Sequence, residues 1–227
     1  MLVRSAVYDS QSLQRFQTPG DIVCTNEAVP TANAGTAVTL TAPLLAAGLY
    51  LSSAGSAPTL TLDSAANIIA GLVPFYAYNQ NASVPGGTSV YGAIQNGTSF
   101  RYRIIMSTAF AATVAATANT GVTVNRGTVA ASTSRDFLIT INNGTPVQTF
   151  LATTTNASAV VGGLTQAQLS QLSVGMIVTN AVANLQGQTI TLINQNAGTV
   201  TLSGNANVTN TTPVAITFSP VVTVDGL

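Results

Sequence analysis

The sequence contains no histidine, no lysine and no tryptophan, and Cys24 is its only cysteine. Without histidine or lysine, Ser-His-Asp and Cys-His nucleophile arrangements, Schiff-base chemistry and the lysine of phosphate-binding loops are unavailable. One cysteine without histidine also excludes an intrachain disulfide and a structural zinc site. We expect Cys24 to be a small buried hydrophobe, and we predict neither a metal site nor a cofactor.

Charged residues are also scarce. Only 5% of the 227 residues are charged, while 46% are hydrophobic and the mean hydropathy is +0.41. The six basic and six acidic residues balance, and there is no basic run, so we predict no nucleic-acid partner and no binding to anionic membranes. From Phe137 to Val224 there is no charged residue at all. We expect this part of the surface to be covered by Thr, Asn, Gln and Ser or to be buried against other chains, including a homotrimer interface.

The six acidic residues are the remaining candidates for catalysis, as a glycosidase-type pair of carboxyls. A simpler role fits each of them. Asp63 suits a helix cap, and Asp136 suits a strand-end ion pair with its neighbour Arg135. The other four are predicted to be solvated charges: Asp9, Asp21, Glu27 and Asp225. The residue inventory therefore predicts that the protein is not an enzyme.

The clearest structural pattern lies between residues 96 and 141. Apolar and polar residues alternate there with the period of a half-buried strand. Arg101 and Arg103 share one face of the first strand, which is either a solvated surface or a site for an acidic partner. The apolar faces of two predicted strands are Phe100, Tyr102, Ile104 and Met106, and then Phe137, Ile139 and Ile141. This pattern favours an antiparallel sandwich.

Composition divides the chain into three parts. Residues 1–19 are predicted to be an extended N-terminal arm, 20–152 a β-sandwich, and 153–227 a small β module. The module could be inserted before a last sandwich strand at 221–225. The N-terminus shows no secretory signal, and the most apolar run, residues 40–51, is too short and interrupted to span a membrane.

Two short helices are predicted within these parts. The first spans residues 63–72, where Asp63 or Ser64 can cap the N-terminus and Gly71 the C-terminus. The second follows from a capping box, Thr165 with Gln168 three residues later.

Two segments are candidates for binding a protein partner. The arm carries isolated anchors that could dock on a neighbour's sheet edge, or it is an ordinary frayed terminus. The long loop from Pro74 to Gly97 carries tyrosines suited to an interface, or their rings cover the rim of the core. The candidate residues are Leu2, Arg4, Tyr8, Leu13, Arg15 and Phe16 in the arm, and Tyr76, Tyr78 and Tyr91 in the loop.

Several sequence blocks in order resemble a jelly-roll-like domain of virion structural proteins from tailed phages and large DNA viruses. The blocks cover about residues 36–150 and read VTLTAPLLAAGLYL, APTLTLDSAANIIAGL, GTSFRYRIIM, TGVTV and STSRDFLITI. Departures are the tyrosine-rich loop before Gly97 and Asp136 before Phe137. The later part, from LSVGMIVTN through TVTLSGNANVT to VAITF, is similar to a small β module of phage structural and bacterial surface proteins.

The resemblance implies a fold and a role. The fold is an all-β, antiparallel jelly-roll-like sandwich with one or two short helices and a small C-terminal β module. The role is a capsid decoration or cement protein on the virion surface, commonly a homotrimer, which binds the major capsid (coat) protein and stabilises the shell. The alternative is a carbohydrate- or receptor-binding sandwich of a tail fibre or cell-surface protein. Copy number per particle separates the two.

Overall fold

The computed structural model describes residues 32–80 and 96–227, apart from the side chains of residues 73–80. The protein is mostly β, with 46% strand and 10% helix arranged in three sheets and a few short helices. This agrees with the predicted all-β class.

The first part of the chain supplies two helices and every strand of two sheets except β15. Its elements are β1 (Ala37–Leu40), α1 (Ala42–Ala46), β2 (Leu49–Ser52), β3 (Thr59–Leu62), α2 (Ala65–Gln80), β4 (Ser99–Met106), β5 (Ala112–Ala116), β6 (Val122–Asn125), β7 (Thr128–Val129) and β8 (Ser134–Asn143). The second part continues with β9 (Gln148–Thr154), β10 (Val160–Gly162), α3 (Gln166–Leu169), β11 (Ile177–Val178), β12 (Ile190–Asn194), β13 (Thr199–Leu202), β14 (Asn210–Ser219) and β15 (Val221–Gly226).

A two-sheet sandwich encloses the first hydrophobic core. One sheet has the order β1-β3-β5-β7 and the other β2-β4-β8-β15-β6. The predicted side-chain alternation is confirmed, because the residues of β4 and β8 assigned to the apolar face are all buried: Phe100, Tyr102, Ile104, Met106, Phe137, Ile139 and Ile141. Tyr102 and Phe137 are direct cross-strand partners. Burial of these large side chains is what holds the two sheets together.

The direction of several strands differs from the prediction. Strands β1, β3 and β5 run parallel, as do β2 with β4 and β6 with β15. The antiparallel arrangement predicted for the sandwich is therefore wrong for these pairs. The chain passes from one sheet to the other and returns beside its earlier strand in the same direction, which a long crossover permits. Alternation in sequence shows which side chains face the core, and it carries no information about the direction of the neighbouring strand.

Helix α2 begins as predicted and ends later. Ser64 Oγ accepts a hydrogen bond from the backbone N of Asn67 at 3.2 Å, and Asp63 Oδ1 accepts one from the backbone N of Ser64 at 2.7 Å. The prediction that the helix ends at Gly71 is wrong, and so is the loop predicted to begin at Pro74, because the helix continues to Gln80. Gly71 has a different use. A Cβ at this position would collide with the Cβ of Ala42, so glycine lets α1 and α2 approach closely.

The third sheet has six strands and closes into a small barrel. Its order is β11-β14-β9-β10-β13-β12. The residues before β12 return to β11, where the backbone N of Ile190 donates to Met176 O at 2.8 Å and the backbone N of Val178 donates to Gln188 O at 2.8 Å. Apolar side chains fill the interior: Ala152, Val161, Leu164, Leu169, Met176, Val178, Leu185, Ile190, Val200, Leu202, Ile216 and Phe218. A barrel of this size has a packed interior and leaves little free sheet edge.

The predicted capping box is confirmed at α3, which lies beside this barrel. Gln168 N donates to Thr165 Oγ1 at 3.3 Å, and Thr165 N donates back to Gln168 Oε1 at 2.9 Å. Leu164 and Leu169 on either side of the cap are both buried.

The barrel segment lies between two neighbouring strands of the sandwich. β8 leads into β9, and β14 leads back into β15, which pairs with β8 on one side and β6 on the other. Strand β9 spans the division between residues 152 and 153 that composition indicates, and it belongs wholly to the barrel sheet. The division of the chain into an arm, a sandwich and a module stays a prediction. Among the described residues, none of the helices has the length and apolar character needed to cross a membrane.

Candidate interaction surface

The residues predicted to bind a partner lie almost entirely beyond the described ranges. Tyr76 and Tyr78 belong to helix α2, but their side chains are not described. The remaining candidates fall in residues 1–31 and 81–95: Leu2, Arg4, Tyr8, Leu13, Arg15, Phe16 and Tyr91. Cys24 also lies there. The role of all of these residues stays a prediction.

Charge is divided unequally between the sandwich and the barrel. Residues 144–220 contain no charged side chain. Within the described ranges every charged residue lies outside that segment: Asp63, Arg101, Arg103, Arg126, Arg135, Asp136 and Asp225. Four of these, Arg101, Arg103, Asp136 and Asp225, are on the outer face of the five-stranded sheet, in alternation with buried residues. The sandwich therefore has a hydrated, charged side, and the barrel has none.

An ion pair crosses this charged face. Arg103 contacts Asp136 through two hydrogen bonds, Nε to Oδ1 at 2.6 Å and Nη2 to Oδ2 at 2.9 Å. The hydrogen bond from Arg103 is the main reason that the pKa of the Asp136 carboxyl is below its usual value. The predicted pairing of Asp136 with Arg135 is wrong, because adjacent residues of a strand point to opposite faces. The Arg135 guanidinium instead donates to the carbonyl oxygens of Thr128 at 2.7 Å and Leu227 at 3.2 Å.

Both carboxylates of the charged face form hydrogen bonds. Asp136 is engaged by Arg103, and Asp225 Oδ1 accepts a hydrogen bond from Asn125 Nδ2 at 2.7 Å. No group of three or more His, Cys, Asp or Glu residues able to hold a metal ion occurs in the part of the chain that the structure describes. The hydrogen bonds of both carboxylates join neighbouring strands, β4 to β8 and β6 to β15.

The outside of the barrel has the opposite character. Most of the large aliphatic side chains that are exposed belong to this segment: Val147, Leu151, Val160, Val174, Leu192 and Val208. Neutral polar residues lie between them, and Thr149 and Thr217 share a hydrogen bond across β9 and β14 with 3.0 Å between their Oγ1 atoms. Neutral hydroxyls and exposed aliphatic groups without charge are typical of the central part of a protein interface.

A buried asparagine connects the barrel to the sandwich. Asn143, the last residue of β8, is 1% exposed. Its Nδ2 donates to Ser173 Oγ at 2.8 Å and to Val174 O at 3.0 Å, and its Oδ1 accepts from the backbone N of Thr145 at 2.9 Å. Sequence analysis missed this residue. The available signal was that Asn143 occupies the next inward position after Phe137, Ile139 and Ile141, where an apolar residue is expected.

No protein family, curated protein or solved structure matches the chain. The basis for a function is therefore the contrast between the charged sandwich and the neutral barrel.

Proposed function

We propose that the protein is a non-enzymatic virion structural protein, a capsid decoration or cement protein that binds the major capsid protein on the capsid surface. The observation that carries the proposal is the barrel surface, which has exposed aliphatic side chains and no charge from Gly144 to Pro220. A protein that works alone in solution gains solubility from surface charge. A surface without charge is better suited to lasting contact with other protein subunits.

A cement protein needs one surface for contact with other subunits and another that faces water, and the neutral barrel and the charged sheet of the sandwich fit these two needs. Each apolar side chain that becomes buried contributes about 25 cal/mol per Å² of covered area. Neutral hydroxyl and amide groups form hydrogen bonds across an interface without the high desolvation cost of unpaired charges. The barrel then faces coat subunits or further copies of this chain, while the charged sheet of the sandwich faces water.

The finer fold assignment belongs to the same proposal. Relationship to jelly-roll virion proteins is supported by the order of the sequence blocks and by the passage of successive strands between two sheets. The parallel pairs β1·β3, β3·β5 and β2·β4 depart from that pattern, since a jelly roll is built of antiparallel strands. We propose a jelly-roll-like sandwich whose first strands follow a parallel course.

Quantitative mass spectrometry of purified virus particles that contain this chain tests the function. The proposal predicts a copy number comparable with that of the coat protein, and loss of shell stability to heat when the chain is removed. A few copies per particle, together with binding to host glycans, would identify a tail-fibre or receptor-binding module instead. Absence from particles contradicts both.

A further inference from the structure

Part of strand β12 has a free edge. Residues 188–190 close the barrel against residues 176–178 through backbone hydrogen bonds. Of the following residues, 191–194, the last three pair with β13 on one side, and no strand within the described ranges pairs with their other side. The change in register between Ile190 and Leu192 marks where the closed and open sections meet.

The usual protection of a sheet edge is missing here. Natural edge strands are kept from pairing by charged side chains, proline, or bulges within the exposed section. From Thr189 to Leu202 the sequence contains no charge and no proline. The irregularity of β12 is confined to the start of the free section, where Thr191 has no partner on β13, and residues 192–194 pair with β13 in regular register. The backbone groups of residues 192–194 that point away from β13 are thus available to another strand.

An apolar row leads across the barrel to this edge. Val160 of β10 and Leu192 of β12 are both cross-strand partners of Thr201 on β13. These three residues share the outer face, where Val160 is 42% and Leu192 is 57% exposed. A partner that pairs with β12 extends the sheet and covers this row at the same time, so one contact satisfies the backbone edge and the aliphatic side chains together.

We infer that this edge and row, Val160, Thr201 and Leu192 with residues 191–194, form the surface through which copies of this chain contact one another. The lack of charge on this surface indicates which kind of partner fits it. A partner that brought charged groups to a neutral surface would lose their hydration without gaining an ion pair. The barrel of a second copy is itself neutral throughout residues 144–220. In a three-fold ring this edge of each copy meets a different part of the neutral barrel of the next copy, because a surface that pairs with itself closes as a two-fold dimer. The inference rests on the proposed function in that it assigns the self-contact of the proposed homotrimer.

Native mass spectrometry and sedimentation of the full-length protein over a dilution series test this assignment with a matched pair of variants. Leu192→Arg places a charge at the edge, and Leu44→Arg places the same charge on helix α1 of the sandwich, where Leu44 is 36% exposed. We expect Leu192→Arg to weaken self-association about a hundredfold or more, because an unpaired charge is strongly unfavourable in a buried contact. Leu44→Arg should associate like the unmodified protein, because α1 belongs to the sandwich and lies outside the barrel sheet.

Three outcomes would overturn the assignment: equal association of Leu192→Arg and the unmodified protein, equal loss in both variants, or a monomeric unmodified protein. Circular dichroism verifies that each variant folds, and Leu192→Thr, neutral and suited to a strand, replaces Leu192→Arg if the latter does not. Hydrogen exchange adds a local measurement, since the amides of residues 191–194 that do not bond to β13 should be protected only in the assembled state. Occupancy on particles separates this inference from the proposed function. If the unmodified protein decorates particles fully and the Leu192→Arg variant still self-associates normally, the edge assignment is refuted and the proposed function is not.

Discussion

Ile104 and Ile139, on neighbouring strands β4 and β8, are completely buried in the sandwich core. Truncation of either to alanine removes buried methyl and methylene groups and leaves a cavity, so each variant should lose about 2–5 kcal/mol of unfolding free energy. Chemical denaturation at constant slope measures the loss. Arg101→Ala is the matched control on the same strand, because Arg101 is on the exposed face, and it should cost less than about 0.5 kcal/mol. Equal losses at all three positions would contradict the burial pattern.

The Arg103–Asp136 ion pair makes a second residue-scale prediction, about pH. Because the folded-state pKa of Asp136 is lowered by Arg103, the pair stabilises the protein above the unfolded-state pKa of about 3.9. This contribution is lost as the pH falls through the lower folded-state pKa. The pair is exposed, so Asp136→Asn should cost only about 0.2–1 kcal/mol at neutral pH.

Melting curves at neutral pH and near pH 2 measure this difference for the unmodified protein and for Asp136→Asn. The difference between them should shrink in acid. A double-mutant cycle with Arg103→Gln isolates the pair from other effects of the two changes. Zero coupling energy at neutral pH would show that the ion pair contributes nothing to stability.

At the scale of elements, the contact between α1 and α2 depends on Gly71. Gly71→Ala improves the helix propensity by up to about 1 kcal/mol, but the added Cβ collides with Ala42. We expect the collision to dominate, since overpacking a tight contact typically costs about 1–3 kcal/mol. Thermal unfolding of Gly71→Ala should show a lower melting temperature, and Ala42→Gly in the same chain should recover part of the loss. A rise in melting temperature for Gly71→Ala alone would mean that the helices separate easily.

Strands and helix caps could be predicted from the sequence where a local residue pattern determines them. The alternation in β4 and β8 and the capping box at Thr165 depend on residues close together in sequence, and both are confirmed. Strand direction, the extension of α2 beyond Pro74 and the use of Gly71 depend on distant neighbours, so local patterns gave wrong answers. The same holds for Asp136, whose partner Arg103 is on another strand.

The neutral character of residues 144–220 was visible in the sequence, but its arrangement was not. Val160 and Leu192 are separated by more than thirty residues and share a row only because β13 lies between their strands. The free section of β12 likewise follows from how far the barrel closes. Neither the row nor the free edge can be recognised from neighbouring residues in the sequence, whereas the absence of charge can be read from it directly.

For the whole molecule, the prediction concerns assembly. A homotrimer has three times the 23.0 kDa mass of the chain. Native mass spectrometry at micromolar concentration should show this species, and high salt should not dissociate it, because the proposed contact contains no ion pair to screen. A monomer under these conditions contradicts the prediction, and dissociation by salt would move the contact to the charged sandwich face.

The position of β15 has a consequence for how the protein is made on the ribosome. This strand lies between β8 and β6 in the five-stranded sheet, with Val224 opposite both Ile139 and Val124, yet it is synthesised after the whole barrel. All strands of the barrel are contiguous in sequence and can form their sheet as soon as they emerge. The five-stranded sheet lacks the strand between β8 and β6 until residues 221–226 have emerged. A nascent chain that stops before residue 221 therefore contains every strand of the barrel and lacks one inner strand of the sandwich.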